Sequence, residues 1–199
     1  NVSITGEIGY LPENLPLYRK MLVEEYLSFV GALRGIEKSL LQIKVNEVLE
    51  KCGLLSVRSR LISNLSKGYC QRVGVAQALM GNPKVLILDE PTVGLDPHAL
   101  MEMRELLLHL KKDHTILFSS HQLSEVQLLC DELTIINKGR VVASGKKQSI
   151  EEKFSATQVV QFITSEMNSE LIKKIEEKFK GTFKLIKKEQ ESIEWKLSL

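Results

Sequence analysis

The sequence predicts an α/β fold built on a parallel sheet. Val85–Leu88 is a continuous apolar run of the kind found in a central parallel strand that is covered on both faces. A second predicted strand covers residues 115–120 and contains a shorter apolar run. Between the two runs lies a helical pattern that begins with Asp96 as its cap and Pro97 at the first helical position. Strand, helix and strand in this order indicate a layered α/β core.

The first 82 residues contribute one strand and three predicted helices. Residues 8–16 form a short apolar run that prolines stop, which predicts a strand leading into an exposed loop. Two amphipathic stripes follow, separated by Gly35. A third helix is predicted between a cap at Ser66 and a stop at Gly81. These stripes favour a packed helical region over a cofactor site.

The C-terminal third predicts a helix, a hairpin and a small accessory domain. A helical pattern at residues 123–130 precedes a hairpin over residues 133–142. Beyond the hairpin, the pattern changes to a strand at 159–163, a helix at 171–179 and an alternating strand at 193–197. No chemistry is suggested by the residues of this last segment.

Composition excludes several classes of function. The chain has 27 Lys and Arg against 25 Asp and Glu, and this net charge of +2 gives no reason to expect nucleic acid as a partner. The three cysteines lack metal-binding spacing, which favours a reduced compartment. No apolar stretch approaches the roughly 20 residues of a membrane helix, and residues 1–25 lack the pattern of a signal peptide.

Three polar residues follow the predicted strands at the edge where a parallel sheet binds ligands. Asp89 and Glu90 come directly after the first apolar run, and His121 follows the second. Adjacent carboxylates suit a site in which Asp89 holds Mg²⁺ and Glu90 polarises a water for attack on phosphorus. Taken alone, the pair also fits carboxylates that only cap the next turn, and a lone histidine at a strand end is often structural.

A second candidate site lies at the start of the third predicted helix. Ser66 and Gly68 place a hydroxyl and unhindered backbone N–H groups at a helix N-terminus, which is a geometry that binds anions. Phosphate is the obvious anion. Ser66 taken alone is also explained as an ordinary helix cap.

In order and spacing, residues 8–145 resemble the nucleotide-binding domain of the ABC ATPase family, including bacterial export-type subunits. Residues 65–72, with the sequence LSKGYCQR, resemble the signature motif LSGGQ. Residues 85–91 resemble Walker B, residues 94–97 the D-loop, and residues 119–121 the switch histidine region. The signature departs from the family form at Lys67, which replaces Gly, and at Tyr69, which replaces Gln.

The resemblance implies a role for each matching residue. Glu90 and His121 would be catalytic, and Asp89 would hold Mg²⁺. Glu13 stands where the family usually has Gln, and it would offer an oxygen to Mg²⁺ and the nucleotide. The residues that would contact ATP across a dimer interface are Ser66, Lys67, Gly68 and Asp96.

The resemblance also implies a P-loop NTPase (RecA-like) core that lacks its N-terminal part, with an inserted helical subdomain and a small α+β C-terminal extension. We expect the nucleotide-binding domain at 1–150, with the helical subdomain at 20–82 and the core at 83–145, and the accessory domain at 151–199. The pattern G-x-x-x-x-G-K-[ST], or Walker A, is absent from the 199 residues. Because the chain starts at Asn1 within a predicted strand, we expect this motif upstream and the fragment alone to be inactive.

The implied partners are a transmembrane permease on a separate chain and a second nucleotide-binding domain, as a homodimer. The implied location is cytoplasmic and peripheral on the inner face of the cell membrane, with membrane contact only through the permease. Two alternatives remain: an ABC protein of translation or DNA repair, and a non-catalytic interaction fragment. The paired cassettes or coiled-coil insertions of the former do not occur in this sequence.

Overall fold

The computed structural model describes residues 6–150 and the strand segments 159–164, 182–188 and 193–198. By contacts, the chain divides into two compact units, Asn1–Leu129 and Cys130–Leu199. No helix among the described residues has the length and apolar character needed to cross a membrane.

The first unit contains the predicted parallel sheet. Its strands are β1 (Ile8–Leu11), β2 (Val85–Leu88) and β3 (Thr115–Phe118), in the spatial order β1-β2-β3. The last residues of the three strands, Leu11, Leu88 and Phe118, pair across the sheet. All three carboxyl ends therefore lie level at one edge, and the α/β prediction with a parallel sheet is confirmed.

Burial in this sheet differs from the expectation of a strand covered on both faces. In β2, Leu86 and Leu88 are fully buried, while Val85 and Ile87 are only partly buried. β3 is an edge strand in the described sheet, and its Leu117 is 63% exposed. The apolar run indicated the strand correctly, but its composition does not show which face is packed.

Three helices pack against one another and contribute much of the buried core. They are α1 (Val23–Leu33), α2 (Lys38–Lys51) and α3 (Lys67–Leu79), with short 3₁₀ turns at Leu55–Val57 and Ile62–Asn64. The predicted break at Gly35 and the predicted stop at Gly81 are confirmed, and these residues have φ values of 77° and 92°. Of the three, α3 packs against β1 and β2.

Two further helices complete the first unit. α4 (Pro97–Leu110) begins at the predicted cap, because the Asp96 carboxylate accepts a hydrogen bond from Ala99 N at 2.9 Å. α5 (Leu123–Leu129) is joined to α4 by an ion pair. In that pair, Arg104 Nε lies 3.0 and 3.1 Å from the carboxylate oxygens of the fully buried Glu125.

The second unit contains a hairpin and a three-stranded antiparallel sheet. The hairpin is β4 (Glu132–Asn137) with β5 (Arg140–Lys146), and it turns at residues 138 and 139, within the predicted range of 133–142. The sheet has the order β6-β8-β7, where β6 is Val159–Thr164, β7 is Thr182–Lys188 and β8 is Ile193–Ser198. The predictions of β6 and β8 are confirmed, β7 was missed, and the helix predicted at 171–179 lies outside the described residues.

Candidate active site

The two carboxylates Asp89 and Glu90 lie at the carboxyl end of the central strand β2. Asp89 N donates to Leu11 O at 2.8 Å, which continues the pairing with β1 by one residue. Glu90 has a φ of 47°, in the left-handed region that a non-glycine residue rarely adopts. Backbone outliers of this kind cluster at functional sites, and this one turns the chain sharply after the strand.

The Ser119 hydroxyl connects the two carboxylate residues. It donates to Asp89 Oδ1 at 2.6 Å and accepts from Glu90 N at 3.0 Å. Its own backbone N donates to Leu88 O at 3.0 Å, which fixes Ser119 beside the end of β2. Sequence reasoning placed Ser119 in the switch region but gave it no role.

His121 binds the Glu90 carboxylate directly. Its Nδ1 lies 3.0 Å from both carboxylate oxygens, and because an ionised carboxylate only accepts, Nδ1 carries a hydrogen. A neutral imidazole in this tautomer offers Nε2 as an acceptor, so donation from Nε2 to a phosphate requires the imidazolium. The Glu90 side chain is 19% exposed, which leaves it accessible to water while the imidazole orients it.

The residues of the second candidate site gather around the N-terminus of α3. The Ser66 hydroxyl accepts from Tyr69 N at 3.3 Å, which confirms it as a helix cap. A Cβ on Gly68 would lie 2.7 Å from Ala99 Cβ, so α3 approaches α4 too closely for a side chain. A Cβ on Gly94 would lie 2.2 Å from Lys67 Nζ.

The signature and D-loop segments therefore lie against each other. Lys67 covers Gly94, and Gly68 packs beside the first turn of the helix that Asp96 caps. Within the described part of the chain, no hydrogen bond or ion pair joins this group to Asp89, Glu90 and His121. The structure thus separates the predicted site residues into two groups.

The departure from the family at Tyr69 has a packing role. The guanidinium of Arg72 lies 4.4 Å from the centre of the Tyr69 ring and forms an ion pair with Glu102 at 3.1 Å. Cation–π contacts of this kind stabilise a partly buried arginine. Tyr69 therefore helps to hold α3 against α4 just below the exposed cap of Ser66.

A magnesium site is compatible with these residues only if other ligands contribute. Among the described residues, no three His, Cys, Asp or Glu side chains are arranged to hold a metal. Mg²⁺ is commonly held by one or two carboxylates together with substrate phosphates and water. Asp89 fits that pattern, because Ser119 occupies only its Oδ1. Glu13 is exposed in the loop that follows β1, at the same edge of the sheet.

Comparison with known proteins identifies the family. Residues 2–93 match the family model described as ABC transporter. The chain is 39% identical over 146 residues to the ABC transporter ATP-binding protein YxlF of Bacillus subtilis, covering 73% of this chain and 50% of that protein. NatA of the same organism, an ABC transporter ATP-binding protein, is 36% identical, with 76% and 59% covered.

A third relative from Bacillus subtilis is the linearmycin resistance ATP-binding protein LnrL, which is 32% identical over 163 residues. That match covers 81% of this chain and 52% of LnrL, so the chain spans about half the length of the curated relatives it matches. The chain belongs to the family of ABC transporter ATP-binding proteins.

Proposed function

We propose that this chain is part of an ATP-hydrolysing subunit that drives an ABC exporter through a permease on a separate chain. The observation that supports hydrolysis most directly is the Glu90 carboxylate, which His121 contacts at 3.0 Å through both oxygens. A carboxylate oriented by an imidazole and partly open to solvent is the arrangement that a general base requires.

Each residue of this group then has a separate task. Bound ATP and Mg²⁺ supply the phosphoryl group and the charge that neutralises it. Glu90 accepts a proton from the attacking water, and His121 holds the carboxylate in position. Asp89 would hold Mg²⁺ through the oxygen that Ser119 leaves free, and Glu13 would offer a further oxygen from its exposed loop.

The second group acts on the ATP of a partner subunit. Ser66 and Lys67 are exposed at the N-terminus of α3, where backbone N–H groups favour an anion. Gly68 and Asp96 lie beside them in the contact between α3 and α4. In a head-to-tail homodimer, this group would complete the nucleotide site of the other subunit. The phosphate cradle of Walker A would come from outside these 199 residues, and the 199-residue fragment alone would be inactive.

Transport in the export direction is supported by a relative rather than by the site. LnrL carries linearmycin resistance in its name, and resistance is consistent with removal of a compound from the cell. The proposed location is the inner face of the cell membrane, on the cytoplasmic side, where the permease provides the membrane contact.

The catalytic assignment is tested by the ATPase rate of the full-length gene product. Glu90→Gln keeps the shape of the side chain and removes the base, so we expect the rate to fall by about 100-fold or more. Glu105→Gln, an exposed glutamate on α4, is the matched control and should retain the rate. Equal rates for the Glu90→Gln variant and the unmodified protein would refute the assignment.

A further inference from the structure

The Ser119 hydroxyl is placed to control both carboxylate residues at once. A single oxygen donates to Asp89 Oδ1 at 2.6 Å and accepts from Glu90 N at 3.0 Å. The first contact fixes the rotation of the Asp89 carboxylate, and the second fixes the backbone at the residue that carries the proposed base. Ser119 itself is held by the sheet, through its N–H on Leu88 O at 3.0 Å.

The backbone at Glu90 needs such a support. Its φ of 47° is unfavourable for a residue with a side chain, so a neighbouring contact must stabilise the conformation. The hydrogen bond from Glu90 N to Ser119 lies directly at that torsion. On the other side, Val93 N donates to Glu90 O at 3.2 Å, which closes the turn but does not hold the Glu90 N–H.

We propose that Ser119 is a positioning residue that sets the Mg²⁺-facing oxygen of Asp89 and the left-handed backbone of Glu90 together. The inference rests on the proposed function of this site, which it deepens. Ser119 does not contact the reacting atoms in this account. It acts by fixing the position of the Asp89 carboxylate, which would hold the metal, relative to the base Glu90.

The neighbouring Ser120 provides a matched control. Its hydroxyl accepts from Gln122 N at 3.1 Å, a local contact just before α5, and makes no described contact with either carboxylate residue. Ser120→Ala therefore removes the same atom from the adjacent position. Ser119→Thr keeps the hydroxyl, and Ser119→Ala removes it.

The direct test is residue-resolved hydrogen exchange at the Glu90 amide, measured on the full-length protein without nucleotide. Loss of one hydrogen bond predicts an exchange rate on the order of tenfold higher in Ser119→Ala. The rate should be near its original value in Ser119→Thr and in Ser120→Ala. Unchanged protection of Glu90 in Ser119→Ala would overturn the inference.

A second readout separates positioning from general damage. With ATP saturating, Ser119→Ala should raise the Mg²⁺ concentration for half-maximal hydrolysis as well as lower kcat, and Ser119→Thr should restore both. An unchanged Mg²⁺ midpoint would contradict the inference. If Ser119→Ala does not fold, Ser119→Cys, which keeps the size but weakens the hydrogen bonds, replaces it in both assays.

Failure of the inference and failure of the proposed function give different results. If Glu90→Gln leaves the ATPase rate unchanged, the proposed function is wrong, whatever the exchange data show, and the inference falls with it. If Glu90→Gln abolishes hydrolysis while Glu90 keeps its amide protection in Ser119→Ala, only the positioning role is wrong.

Discussion

The signature segment approaches the helix that follows the D-loop closely at Gly68. A Cβ at this position would lie 2.7 Å from Ala99 Cβ, and carbon atoms in normal contact are about 3.5–4.0 Å apart. Gly68→Ala therefore creates an overlap of roughly 1 Å. Both atoms are fixed to helix backbones, so no side-chain rotation relieves it, and α3 and α4 must separate.

The magnitude follows from the cost of overpacking a fixed contact. An added methyl group in such a contact lowers the free energy of unfolding by about 1–3 kcal/mol. Replacing Gly by Ala within a helix raises it by up to about 1 kcal/mol. Ala99→Gly lowers the stability of its helix by a similar amount, but it removes the methyl group that a side chain at position 68 would overlap. In a double-mutant cycle these propensity terms cancel. The double variant should therefore be about 1–3 kcal/mol more stable than the sum of the single changes predicts.

Urea unfolding of the protein, followed by far-UV circular dichroism, measures this coupling. The four proteins of the cycle are the unmodified chain, Gly68→Ala, Ala99→Gly and the double variant. The overlap predicts that Ala99→Gly relieves the damage done by Gly68→Ala. If the two changes are additive to within about 0.5 kcal/mol, the contact between signature segment and α4 is wrong.

Two further predictions concern the stability of the sheet and helices in the first unit. A Cβ on Gly9 would lie 2.2 Å from the backbone oxygen of Ala78, whereas a Cβ on Gly31 would meet only the ends of movable side chains. Gly9→Ala should therefore lower the urea midpoint of unfolding more than Gly31→Ala does. Equal midpoints for the two variants would contradict this packing. Burial, with the charge of Tyr18 as a smaller cause, raises the pKa of Tyr26 from 10.0 to about 12. An unfolded tyrosine ionises first, so the free energy of unfolding should fall as pH rises from 10 to about 12, and Tyr26→Phe should lack that part of the decline.

The sequence was sufficient for those features that depend on local signals. Asp89 and Glu90 could be placed at a strand end because an apolar run stops abruptly at two acids and a proline. The caps at Ser66 and Asp96 could be identified because each is a residue that binds free N–H groups of the first turn. Each of these predictions needs only neighbours along the chain.

The bridge through Ser119 depends on strand register, which this sequence does not specify. β2 reads VLIL, and its partner β3 begins TILF, so neither shows the alternation that would fix one strand against the other. The observed pairing of Leu88 with Phe118 is what brings Ser119 beside Asp89. A register shifted by one residue would move the hydroxyl away from both carboxylate residues.

Other features were missed because of local irregularity or long-range packing. β7 has Phe183 and Leu185 on alternate positions, but the register of its pairing shifts between Leu185 and Lys187, which interrupts the pattern. The contact of Lys67 with Gly94 joins positions far apart in sequence. Neither composition nor periodicity reports contacts of this kind.

We propose that Glu90 activates the water that attacks ATP in a site that the signature segment of a second subunit completes. The most direct measurement mixes two inactive variants of the full-length protein, Glu90→Gln and Ser66→Arg. In a mixed dimer, one site has both defects and the other has an intact Glu90 and an intact Ser66. Since half of the dimers in an equal mixture are mixed, and each has one intact site of two, we expect recovery of about a quarter of the unmodified ATPase rate. A mixture as inactive as its separate components would contradict it.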